Sequence, residues 1–270
     1  RKSEERNNVE QTRPKHPFIY LLEPLAIRWG LSIGVELILI AILGMEKAGN
    51  YLMEATALIS IVTIIVFWKP YQKERKSDKE KHHNENLLVG KNILAIVVCG
   101  FCICISVNGL IIQSGISQYS EAYQATSQSI YGTSVFLQLI GVAFLAPVAE
   151  EFVYRGMLYR RMRVMLPGWM SVLGSAMIFG ISHGNMVQFI FALFTGAVMA
   201  YLYEVYHTLK ATILFHITLN LTSLICTWLN VFSLLFENIY LWTCVTLGTL
   251  VVGIAMIRYV MKLNLQNIHK

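Results

Sequence analysis

Apolar runs of bilayer-spanning length recur along almost the whole chain, and nothing else restricts its fold as strongly. A helix needs about 20 predominantly apolar residues to cross the hydrocarbon core. Runs of that order begin near Ala26, Tyr51, Asn92, Ser134, Trp169, Met186, Ala211 and Ile239. They end near Met45, Trp68, Ile112, Arg163, His183, Glu204, Leu229 and Met261. The expected fold is therefore all-α, a polytopic membrane helix bundle of about eight transmembrane helices. Composition agrees, with 55% hydrophobic and only 14% charged residues.

The basic residues set the expected orientation. With the N-terminus in the cytoplasm, cytoplasmic segments hold Arg1, Lys2, Arg6, Arg13, Lys15, the Lys69–Lys81 cluster, Lys91, Arg160, Arg161, Arg163, Lys210, Lys262 and Lys270. The opposite side holds Lys47 alone. This is the positive-inside pattern. It places both termini in the cytoplasm of a multi-pass protein of the cell membrane. The formal charge of +6 is thus read as topology and not as nucleic-acid binding. Residues 1–25 read as a polar, basic tail, and Arg1–Pro17 lacks the pattern of a cleavable signal peptide. Gln113–Gly132 reads as a polar loop free of Lys and Arg. His82 and His83 stand in a solvated charge run, where adjacent histidines usually bind nothing. The five cysteines lie in apolar runs without CxxC spacing and read as small core residues. Glu36, in the first span, reads as a buried polar partner.

One stretch breaks the apolar pattern in a way that calls for chemistry. Glu150, Glu151 and Arg155 fall within six positions of each other, in or beside the run Val135–Val153. An ionisable residue at a bilayer centre costs roughly 2.5–3.5 kcal/mol on insertion scales. Glu151 and Arg155 are i,i+4 neighbours on a helix. The two glutamates point about 100° apart, so they need not share a role. Pro147, just upstream, is a candidate kink. His183 ends the fifth run, and His216 and Asn220 share one helix face in the seventh. Such residues usually face a bundle interior or a wet cavity.

Absences narrow the reaction. The only aspartate is Asp78, in the polar connection, which excludes a di-aspartyl mechanism. HExxH does not occur, and Ser175 and Ser182 lack a nucleophile pattern. A glutamate and a histidine acting on water remain, with His216 and Asn220 as donors to an oxyanion. Glu150, His183 and His216 also match a catalytic metal set of two histidines and one glutamate. The cofactor is then one divalent metal, such as zinc, or none; the sequence leaves both open. A structural Glu–Arg pair and a proton relay in a transporter are the other readings.

Three motifs stand in order on successive runs: Glu150-Glu151-x-x-x-Arg155, Phe179-x-x-x-His183 and His216-x-x-x-Asn220. Together they resemble the CAAX protease and bacteriocin-processing (CPBP, or Abi) intramembrane proteases, which include the type II CAAX prenyl endopeptidases. The connecting text around Gly184-Asn185-Met186 is similar to the bacterial branch. The resemblance implies an intramembrane endopeptidase opening toward the cytoplasm, with a CPBP-like core at 132–230. Residues 26–131 then hold the N-terminal helices and a basic cytoplasmic loop, and 231–270 a C-terminal helix and tail. It implies that Glu150 and His183 activate water, that His216 and Asn220 hold the oxyanion, and that Glu151 and Arg155 orient the site. Arg155 meeting a substrate carboxylate is the alternative. The family is often called a metalloprotease, and a metal-independent glutamate mechanism is also argued for it. The implied partners are membrane lipid and a peptide or membrane-protein substrate. A non-catalytic bacteriocin-immunity or peptide-binding protein is the rival reading.

Overall fold

The computed structural model describes residues 16–79 and 88–268. Among the described residues there are helices and short turns and no strand. The longer helices are α1 (Pro17–Leu43), α2 (Leu52–Lys79), α3 (Gly90–Gln113), α4 (Glu121–Tyr131), α5 (Val135–Met165), α6 (Gly168–Ile181), α7 (Met186–Tyr206), α8 (Leu209–Trp228) and α9 (Ile239–Ile268). All but α4 and α6 are long and apolar enough to cross a membrane, which makes seven spanning helices. The fold is the expected polytopic bundle.

The fifth run differs from expectation. α6 has 14 residues, about 21 Å at 1.5 Å per residue. Gly184 turns the chain at φ +73°, and the Asn185 side chain caps the next helix through Gln188 N–H. The helix therefore stops short, with Ile181 and Ser182 exposed and His183 half-buried at its end. α1 begins earlier than expected, with Pro17 in its first turn. Residues 1–15 of the expected tail, and His82 and His83, lie outside the described residues. Glu36 corrects another expectation: it is exposed on α1 and not buried. The helix explains this, since only 6% of the apolar window of α1 is buried in the protein.

α3 is the opposite case, with 67% of its window buried. It packs against both α8 and α9, while α6 packs on α7 and α2 runs along α5. Small residues bring these backbones close, as in other membrane helix pairs. A Cβ on Gly109 would stand 2.3 Å from Thr246 Oγ1 and 3.2 Å from Thr246 Cβ. Turning the threonine cannot move its Cβ away, so Gly109→Ala must part α3 and α9. The expected loss is about 1–3 kcal/mol, read as a lower Tm of the detergent-solubilised protein; an unchanged Tm would contradict the tight crossing.

The two ends of the bundle differ in charge. At one end Arg161 ties three helices together. It donates to Glu23 Oε2 at 2.7 Å, Tyr20 O at 2.6 Å and Glu74 Oε1 at 3.0 Å. Lys69, Lys73, Lys91, Arg160, Arg163 and Lys210 belong to this end by their places on the helices. At the opposite end lies the segment expected as a loop, which folds into α4. Its Tyr131 hydroxyl bonds Thr227 Oγ1 at 3.1 Å. Trp228 Nε1 donates to Gln138 Oε1 at 2.8 Å, and Gln138 Nε2 to Thr133 O at 2.9 Å. Among the described residues, Lys47 is the one Lys or Arg at that end.

Candidate active site

The motif helix α5 is irregular. α-Helical turns at Val135–Leu137, Ala146–Glu151 and Arg160–Met165 alternate with π-helical stretches at Gln138–Leu145 and Phe152–Tyr159. Such stretches are frequent at functional sites. Here the first has a direct consequence. Ala146 N–H donates five residues back, to Gly141 O. In that register residue 147 would serve Val142 O, but proline has no N–H. Val142 O accepts instead from Asn220 Nδ2 at 2.8 Å. Pro147, expected as a kink, thus frees the carbonyl that fixes the Asn220 amide, whose second N–H stays available.

The two glutamates point to different surroundings. Glu151 is fully buried, and its Oε1 accepts from Arg155 Nη1 at 2.7 Å and from His216 Nδ1 at 2.9 Å. Arg155, also fully buried, gives Nη2 to Gly196 O at 3.1 Å, and its guanidinium lies 4.4 Å from the centre of the Phe179 ring. Gly196 permits this approach, because a Cβ there would stand 3.2 Å from Arg155 Nη2 and 3.0 Å from Phe179. Glu150 is 22% exposed and faces a cavity. His216 Nε2 points toward it, 3.7 Å from Glu150 Oε2. One imidazole thus spans both carboxylates.

His183 is held by the unfinished end of α6. Phe179 O, one of the carbonyls a helix C-terminus leaves without a partner, accepts from His183 Nδ1 at 2.8 Å and from Ser182 Oγ at 2.7 Å. The Nδ1 proton is thereby placed on the carbonyl, and Nε2 is left as an acceptor. Phe179 itself packs edge-on against His183, His216 and Tyr154, with centroids 4.8, 5.8 and 4.9 Å away. The sequence shows Phe179 in a motif without showing this role as a common wall for both histidines and Arg155.

Glu150, His183, His216 and Asn220 line one cavity of about 480 Å³. Glu151 and Arg155 stand behind it and do not line it. The cavity continues past Val142 and Asn108 to the underside of α4, where Tyr123, Ser127 and Tyr131 form its roof. Burial, and after it the neighbouring Tyr131, raises the Tyr123 phenol above its ordinary range. Gln188 and Phe191 of α7 complete one side.

The metal set allowed by the sequence can be tested on this geometry. Both histidines have Nδ1 engaged by an oxygen, which leaves Nε2 as the free donor, as metal-ligating histidines require. Among the described residues, however, no three or more His, Cys, Asp or Glu side chains are grouped closely enough to hold a metal ion. Glu150, His183 and His216 share the cavity without forming such a group.

One glutamate, two histidines and an asparagine thus line a single cavity of a polytopic bundle. Residues 132–222, about a third of the chain, match the family model described as type II CAAX prenyl endopeptidase Rce1-like. The chain therefore carries a domain of this membrane-embedded CAAX-type protease family, in keeping with a CPBP family protease. All three motifs fall inside the matched region. No curated protein and no solved structure matches the chain.

Proposed function

We propose that the protein is an endopeptidase that hydrolyses a peptide bond of a membrane-associated peptide or protein, with Glu150 as general base. The observation that carries this reading is the meeting of Glu150, His183, His216 and Asn220 in one cavity. A water bound between the Glu150 carboxylate and His183 Nε2 loses its proton to Glu150 as its oxygen attacks the scissile carbonyl carbon. The carbonyl electrons move onto the oxygen. That oxyanion receives the free N–H of Asn220, and His216 Nε2–H when the ring carries both protons. Glu150 then returns its proton to the amine as the C–N bond breaks, giving a carboxyl and an amino terminus. Glu151 holds His216 Nδ1 throughout, and Arg155 holds Glu151.

Terminal-fragment mass spectrometry of membranes containing the active protein, compared with the Glu150→Gln variant, tests the reaction. New peptide termini found only with the active protein support it; identical termini in both overturn it. Asn220→Ala removes one oxyanion donor and is expected to lower turnover by roughly 10²–10³-fold, measured on whichever cleavage that comparison identifies. Unaltered turnover in Asn220→Ala would take the asparagine out of the oxyanion site.

A further inference from the structure

Two side-chain amides in the cavity wall take no part in the hydrolysis described above. Asn108 comes from α3, outside the matched region, and Gln188 from the first turn of α7. Both are half-buried, and both line the cavity with Glu150, His183, His216 and Asn220.

The neighbours of each amide decide which of its ends is free. Asn108 Nδ2 lies 2.9 Å from Cys104 O. A backbone carbonyl only accepts, so the amino end of Asn108 is turned to its own helix and the Oδ1 acceptor is left over. Cys104 in turn sets its Sγ against Leu219 O at 3.4 Å, one residue from Asn220. Asn108 is thus anchored beside the oxyanion asparagine. Gln188 is fixed through Asn185. Asn185 Oδ1 caps α7 by accepting from the Gln188 backbone N–H at 2.9 Å. Its Nδ2 is therefore the atom that meets the Gln188 side chain at 2.6 Å, and the Gln188 atom there is Oε1. The Gln188 amino group keeps both of its N–H donors. The same Asn185 Nδ2 reaches His183 O at 3.4 Å, which ties Gln188 to the His183 turn. Among the described residues, neither Asn108 Oδ1 nor Gln188 Nε2 has a hydrogen-bond partner. The hydroxyls of Thr56, Thr126, Ser129 and Thr195 also line the cavity, but each donates to a carbonyl four residues back on its own helix.

A free acceptor and a free pair of donors, both uncharged, complement the peptide main chain, which offers one N–H and one C=O per residue. A peptide segment entering a bundle of spanning helices leaves water behind, and each main-chain group left unpaired there is costly. On the protease reading above, we infer that Asn108 and Gln188 bind the main chain of the substrate. Asn108 Oδ1 accepts a peptide N–H beside the oxyanion asparagine, and Gln188 Nε2 donates to a peptide C=O beside His183. The segment is uncoiled there, since a helix has already paired these groups within itself. Side-chain identity stays free at these two contacts, except that proline cannot supply the N–H.

The experiment uses the full-length solubilised protein and a synthetic peptide spanning the cleavage site found by mass spectrometry. Asn108→Leu and Gln188→Met remove the two groups at similar size. Each is expected to raise KM about tenfold, the effect of leaving one buried main-chain group unpaired, with a smaller effect on kcat. Unchanged KM in either variant, or a loss confined to kcat, overturns that contact. Gln188→Glu separates binding from support. It restores the oxygen held by Asn185 but not the N–H donors, so KM should stay raised; return of the parental KM overturns the donor role. Peptides with one amide at a time replaced by an ester lack single N–H groups. One such ester, away from the scissile bond, should raise KM about tenfold for the parent and hardly at all for Asn108→Leu. Equal penalties in both proteins for every ester overturn the Asn108 contact. Tm is measured for each variant, and Asn108→Ala, which adds no bulk, repeats the comparison if Asn108→Leu is destabilised. Glu150→Gln separates the two readings. If it is inactive while Asn108→Leu and Gln188→Met keep the parental KM, the protease stands and the main-chain contacts fall. If Glu150→Gln cleaves like the parent, the protease reading falls and this inference with it.

Discussion

Glu150→Gln is expected to abolish cleavage while leaving the protein folded. The substitution keeps the size and a hydrogen-bonding oxygen but removes the base. General bases contribute typically 10²–10⁴-fold, and this residue is assigned both the proton taken from water and the proton given to the leaving amine. Turnover should therefore fall by about 10⁴-fold, to background. Stability should hold for a structural reason. Glu150 is not part of the buried Glu151–Arg155 pair, and a neutral amide is less costly in the membrane than a carboxylate. His216 retains its bond from Nδ1 to Glu151. The assay is cleavage of the identified substrate by solubilised protein, with Tm measured in parallel. A variant that is inactive because it is unfolded would not support the assignment, and full activity would overturn it.

The parts of the site that were legible in the sequence are those governed by helical spacing. Glu151 and Arg155, read as i,i+4 neighbours, form the pair directly. His216 and Asn220, read as one face, both reach α5, one at Glu151 and the other at Val142. Seven of the eight expected crossings are spanning helices, because hydropathy over about 20 residues integrates a strong signal. What was not legible depends on backbone register and on neighbours far along the chain. The π-helical stretches leave no pattern in residue type, so Pro147 read as a kink and not as the residue that frees Val142 O. Exposure of Glu36 depends on which helix lies at the bundle edge, which periodicity along α1 alone does not reveal. Gln113–Gly132 read as a loop because its polar residues hide the short helix α4.

Arg155→Ala is expected to damage folding first and activity as a consequence. Arg155 Nη1 lies 2.7 Å from Glu151 Oε1 with both side chains fully buried. Removing one partner of such a pair costs about 3–5 kcal/mol, because the remaining charge stays in a low-dielectric interior without compensation. That is a large part of the stability of a typical domain. The loss should be partly reversed by a second change. In Arg155→Ala with Glu151→Gln, the stranded carboxylate becomes an amide, so the double variant should be more stable than Arg155→Ala alone. A gain on adding Glu151→Gln to a protein that already lacks Arg155 has no origin in substrate binding, so it separates the buried pair from a substrate contact. Activity should not return, because His216 Nδ1 then bonds an amide in place of a carboxylate and the ring is no longer held by a charge. Thermal unfolding of the detergent-solubilised parent, single and double variants measures this directly. If Arg155→Ala is as stable as the parent, the arginine is not a structural partner, and its role moves to the substrate.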